Sequence, residues 1–328
     1  MLQLIRNNNP FTVLILFIFT LLVKLPALLH PQLPVAADDT ILFNWLLLGM
    51  KAVLGANAFA WTFFAIVCLF LQGLYLNAIT IRHRLFAKPT YVPLFCYLVL
   101  TSVMPGYSYF TAPLMVCWCL LVCFDVMLQF SQSGQPRKHI FNAGFMLSVA
   151  ALFHFPAVFY FLLLVVALIL LRPFTIGEWV VALIGYITPL YFFSGLLFLT
   201  DRLPSLAKWP DLGISLPRQV HHPVFLLGSI GSVIILTASG LFVLQGQMPK
   251  SVIAVRRNWG AIVTAWIVSV IVAILTPAVG DTMWLVAMPA LSMVIANPML
   301  LEKNKRFSNF TFYFSLLFVI FCQVAIHK

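Results

Sequence analysis

The chain has 328 residues, 62% of them hydrophobic and only 8% charged, where a soluble domain carries about a quarter charged. So few polar side chains cannot cover a water-exposed surface, which excludes a soluble globular protein and makes lipid much of its surroundings. The net charge is +11, yet no lysine- or arginine-rich run exceeds two residues; nucleic acid is excluded as a partner, and positively charged loops on one side of a membrane explain the excess.

In lipid only helices and closed barrels satisfy the backbone. Barrel strands alternate apolar and polar residues, whereas the apolar runs here are continuous over 11–29 and 224–243. The fold class is therefore all-α: a polytopic transmembrane bundle of about eleven spans, forming a single transmembrane domain over 1–328 with outer loops at 31–57 and 200–223. In chain order the spans are expected at 11–30, 58–79, 91–104, 112–130, 140–155, 156–171, 179–199, 224–245, 259–277, 282–299 and 309–327. The first resembles a signal peptide, but it lacks a small-x-small cleavage site and continues as Leu28-Leu29-His30-Pro31, so a retained span is expected. Between the first two spans, Ile41 to Leu54 is apolar, too short to cross and interrupted by Asn44, Gly49 and Lys51. It reads as a helix lying in the outer interface. Trp45, Trp61 and Trp209 suit an aromatic belt at that depth. Pro93, Pro189 and Pro289 are expected to break spans, without forming the two matching halves of many transporters.

With the N-terminus in the cytoplasm and the C-terminus in the periplasm, Arg6, Arg82, Arg84, Lys88, Arg137, Lys138, Arg172, Lys250, Arg256, Arg257, Lys303, Lys305 and Arg306 all face inward. That is 13 of the 19 basic residues, the positive-inside pattern loop after loop. Two short pairs test the count: 91–104 is brief, and 140–171 must hold two helices. Fusing the second pair would turn Arg256, Arg257, Lys303, Lys305 and Arg306 outward, so a hairpin turning at His154, Phe155 and Pro156 is expected. Lys24, beside Pro26, is expected to snorkel to the outer interface.

All six cysteines lie in apolar runs and none forms a CxxC pair, so they read as small buried residues, with neither a disulfide framework nor a metal site. Five of the eight acidic residues and five of the seven histidines fall on the outer side, which is where a site is expected. Asp38 and Asp39 follow the first span. One of them could activate an acceptor hydroxyl or hold a divalent cation near a phosphate, while the other orients it or caps a helix. The competing use is structural, with Asp39-Thr40 capping the helix that begins near Ile41. In the second outer loop, Arg202, Arg218, His221 and His222 are candidate phosphate-binding groups; the competing reading is a solvated loop with local ion pairs. Turn chemistry accounts for Asp281 between Gly280 and Thr282. Asp125, near the inner end of its span, is an intramembrane candidate, either functional or satisfied by Arg137 or Lys138. No P-loop, GxSxG, HExxH or haem-attachment motif is present.

The run from Asn77 to Leu85 leads into Lys88-Pro89-Thr90-Tyr91-Val92-Pro93. Thr101-Ser102 with Pro105, Arg172-Pro173-Phe174, Glu178-Trp179 and Gly185 to Pro189 follow. Together they resemble a family of uncharacterised multi-span inner-membrane proteins from Bacteroidota, which implies the inner membrane of a Gram-negative bacterium. The order of first span, outer acidic loop and interfacial helix is similar to the C-type glycosyltransferases. That similarity implies Asp39 or Asp38 as catalytic base and a polyprenyl-phosphate-linked donor at the periplasmic face. The alternatives are a non-enzymatic scaffold or assembly subunit, whose 31 phenylalanines pack lipid or protein, and a transporter of small molecules or lipids built around Asp125.

Overall fold

A computed structural model describes residues 2–7, 9–36, 40–130, 134–210, 213, 223–276 and 281–326. All regular structure among the described residues is helical: α1 (Leu2–Arg6), α2 (Pro10–Val23), α3 (Leu25–Leu29), α4 (Ile41–Leu54), α5 (Ala58–Arg82), α6 (Val92–Leu100), α7 (Ala112–Met127), α8 (Pro136–Phe153), α9 (Tyr160–Leu171), α10 (Ile176–Leu199), α11 (Pro223–Gln247), α12 (Ile253–Ile274), α13 (Met288–Met299) and α14 (Lys305–Ile326). Short 310 turns join several of them, among them Pro105–Ser108, Phe155–Phe159 and Asp281–Ala287.

Among the described residues, five stretches are long and apolar enough to cross a membrane: Ala58–Arg82, Ile176–Leu199, Leu227–Lys250, Ile253–Ile274 and Thr282–Met299. Shorter apolar helices accompany them, and together they have the character of an integral membrane protein. Burial ranks them by depth. In Thr282–Met299, 89% of the residues are buried, against 33% of the most apolar 18 residues of Ile176–Leu199. All residues of α6 and α13 are buried, so these two apolar helices form the centre, where Cys96 Sγ meets Met299 Sδ at 3.8 Å. Helices α10, α11 and α14 carry exposed leucine, isoleucine and phenylalanine on their outer faces.

Polar contacts gather the helix ends into two groups. At the first end, Arg6 Nε and Nη2 donate to Met299 O (2.9 and 2.6 Å) and Thr90 Oγ1 donates to Ile5 O (3.2 Å). There too Trp259 Nε1 donates to Leu85 O (3.3 Å), and Arg172 Nη1 to Phe130 O (3.4 Å). At the opposite end, Gln323 Nε2 donates to Val23 O (2.6 Å), Tyr109 Oη to His30 O (3.1 Å), and His154 Nε2 lies 3.3 Å from Thr276 Oγ1. Helices α5 to α14 run alternately between these ends, after a first pass made by α2 and α3. Most of the lysines and arginines sit at the first end, called the basic end below.

The expected hairpin in 140–171 is present. Helix α8 stops at Phe153, the chain turns through Phe155–Phe159 with Pro156 in its first turn, and α9 returns so that Arg172 reaches Phe130. The segment at 91–104 is shorter than expected, a nine-residue helix ending at Leu100. The first span is not one helix. It breaks at Lys24 because Pro26 has no N–H and its ring opposes the carbonyl four residues back. The expected breaks at Pro93, Pro189 and Pro289 are not found: Pro93 and Pro289 each lie in a first turn, where the missing N–H costs nothing, and α10 runs unbroken through Pro189.

Helix α4 spans the expected residues. It packs Ile41 against Leu152, Phe193 and Leu197, and Phe43 stacks on Phe110 with centroids 5.6 Å apart. Thr40 occupies its N-cap position without a side-chain capping bond, and Asp39 lies outside the described residues. Trp61 is not a belt residue. Its ring is buried in the bundle, and its Nε1 donates to Gly55 O at 3.0 Å.

Helices α8 and α10 meet backbone to backbone. A Cβ on Gly144 would lie 2.8 Å from Ala182 O, and one on Gly185 would lie 2.5 Å from Phe141 O. Only glycine permits that approach, as in other small-residue contacts between membrane helices.

Candidate functional site

Of the residues expected to carry chemistry at the outer loops, Asp38, Asp39, Arg218, His221 and His222 lie outside the described residues. Arg202 is described. It is exposed just beyond α10, with its backbone N–H donating to Leu197 O at 2.9 Å.

Asp125 sits at the basic end of α7, and its partners are not Arg137 or Lys138. Oδ2 pairs with the Arg82 guanidinium and accepts from Tyr75 Oη at 3.1 Å, and Oδ1 lies 3.0 Å from His83 Nε2. A carboxylate only accepts, so His83 carries its proton on Nε2; its buried Nδ1 has no partner among the described residues. The cluster ties the end of α5 to α7. The alternation of spans places Arg82, Arg137 and Lys138 all at the end where Asp125 lies, so the sequence indicates the end but not which cation pairs there. Asp125 lines neither of the two clefts described below.

Two further ion pairs mark the basic end. Arg172 grips Glu178 through Nε (3.2 Å) and Nη2 (2.6 Å), a two-pronged pair joining the end of α9 to the first turn of α10. Lys88 Nζ donates to Glu302 Oε1 at 2.6 Å in full exposure, and holds that carboxyl below its ordinary range. Beside it, Thr80, Arg84, Lys88 and Thr90 line a groove of about 420 Å³, with Arg84 in the left-handed region at φ 49°.

The opposite end holds a site the sequence reading missed. Lys24 was expected to snorkel outward, yet it is 2% exposed. The break before Pro26 turns it inward, where Nζ donates to Thr101 O at 2.8 Å and Ser108 Oγ at 3.2 Å. Thr101 terminates α6, so the ammonium also caps that helix's C-terminus, where a cation is favoured. No carboxylate lies within ion-pair distance of it among the described residues. Lys24 lines a cleft of about 180 Å³ with His30, Ser102, Ser108, Tyr109 and Gln323 as its polar members, and Val23, Pro26, Ala27, Met104 and Pro105 as apolar walls. The available signal was a lysine two residues before a proline inside an apolar run.

All six cysteines are buried and unpaired, as expected. Among the described residues, no group of three or more histidine, cysteine, aspartate or glutamate side chains could hold a metal ion. No protein family, curated protein or solved structure matches this chain.

Proposed function

We propose that the protein crosses a bacterial inner membrane eleven times, with its N-terminus and basic end cytoplasmic and its C-terminus periplasmic. On its periplasmic face it would transfer a sugar or similar group from a lipid-phosphate-linked donor, in the manner of the C-type glycosyltransferases. The observation that carries this reading is α4. It follows the first pass and the loop bearing Asp38 and Asp39, and it is anchored across the non-basic end on the tips of α8 and α10 through Ile41, Leu152 and Phe193. A helix held there would fix the end of the acidic loop, just after Asp39, against the surface of the bundle.

The chemistry of this reading is a displacement. Asp39 or Asp38 takes the proton of the acceptor hydroxyl, whose oxygen bonds to the transferred carbon while the bond to the donor phosphate breaks. The phosphate leaves with the electron pair, and Arg202, Arg218, His221 and His222 supply cations to hold it. Holding a divalent cation is the alternative use of Asp38 and Asp39. The test is Asp38→Asn and Asp39→Asn, singly and together, scored by complementation of a deletion in the native host at matched protein abundance. The double variant is expected to lose function. Full function in it would end the transferase reading and leave that of a scaffold.

A further inference from the structure

We infer that the cleft at Lys24 is a binding site for a phosphate-bearing ligand, and that the ligand is the headgroup of an anionic membrane lipid. Three observations converge. First, Lys24 is almost wholly buried, and its ammonium is met by one carbonyl and one hydroxyl, with no carboxylate among the described residues. A buried ammonium is costly unless an anion compensates it. Second, the ammonium borders an open volume of about 180 Å³, room for a phosphate group, where the Ser108 hydroxyl and the second N–H of the Gln323 amide remain to donate to phosphate oxygens, the Ser102 and Tyr109 hydroxyls being committed to Leu98 O and His30 O. Third, the cleft lies at the bundle's periphery. Leu22, Leu25 and Leu29, on the helices that flank it, are 65%, 48% and 68% exposed, so an apolar surface fit for acyl chains adjoins the polar pocket. A soluble anion needs only the pocket, whereas a lipid uses both parts.

This inference rests on the membrane reading but not on the transferase reading, because neither Asp38 nor Asp39 enters it. The test uses the full chain in nanodiscs of phosphatidylcholine alone and of phosphatidylcholine with phosphatidylglycerol, with inorganic phosphate added to the first in a separate arm. Thermal stability is read in each, and retained lipid is read by native mass spectrometry. Two variants accompany the wild type. Lys24→Met removes the charge. Ala27→Leu fills the cleft while leaving Lys24 and its bonds in place.

The wild type is expected to gain several degrees in phosphatidylglycerol and to retain that lipid, with at least a tenfold loss of retention in both variants. A gain with inorganic phosphate equal to that with phosphatidylglycerol, lost in both variants, supports the phosphate site but overturns the lipid as its source. Equal stability of the wild type in all three conditions would overturn the site itself. So would a phosphatidylglycerol effect that survives in both variants. Because Lys24→Met also removes the cap on α6, Ala27→Leu separates lost binding from lost packing, and the stability of each variant in phosphatidylcholine alone reports whether it folds.

Discussion

Asp125 accepts from Tyr75 and His83 and pairs with Arg82, and the three do not contribute equally. The Arg82 side chain is 54% exposed, so its pairing is screened and removing it alone should cost under about 1 kcal/mol. Removing the carboxylate strands a buried imidazole N–H and a part-buried hydroxyl. Asp125→Ala should therefore cost more, about 1–3 kcal/mol. Unfolding of both variants in one detergent checks the order; an Arg82→Ala loss larger than that of Asp125→Ala would show the ion pair, not the buried hydrogen bonds, to be the main contribution. By the same reasoning the exposed Lys88–Glu302 pair contributes little, and Lys88→Ala should leave stability unchanged.

At the scale of elements, the contact between α8 and α10 depends on two glycines, and α10 supplies its own control. A Cβ at Gly185 would meet Phe141 O at 2.5 Å, backbone that cannot yield without moving a helix, while Gly195 has nothing within 4 Å. Gly185→Ala should destabilise by about 1–3 kcal/mol through overpacking. Gly195→Ala should be neutral or slightly stabilising, as alanine favours helix over glycine. Melting curves of the two variants would separate them; equal effects would mean that helix propensity, not close approach, governs this position. Helix α4 illustrates the opposite dependence. Its bounds follow from an apolar stretch with polar interruptions, but its seat on Leu152 and Phe193 joins residues more than a hundred positions away, which no local pattern records.

For the whole molecule, the testable statement is which end faces which compartment. All six native cysteines are buried, so a single exposed cysteine reports against a quiet background. Lys138 lies at the basic end and Lys51 on α4, and both are exposed. A membrane-impermeant maleimide on spheroplasts is expected to label Lys51→Cys and not Lys138→Cys, with both labelled after lysis. The reverse pattern would invert the proposed topology while leaving the fold intact.

The sequence by itself determined the helical class, the hairpin at His154 to Pro156, the extent of α4 and the burial of the cysteines. These follow from hydropathy, proline placement and the sorting of charge from loop to loop, all of which run along the chain and need no knowledge of which helices touch. Tertiary structure decided which helices are central, that Trp61 is interior, and that Asp125 answers to Tyr75, Arg82 and His83. It also decided the fate of Lys24. Composition favours an outward-reaching lysine, but a proline two residues on turns the chain there, and the end of α6 meets the ammonium with an acceptor. Whether a long side chain reaches out to water or in to a partner depends on what packs beside it, and that neighbour lies 77 residues away.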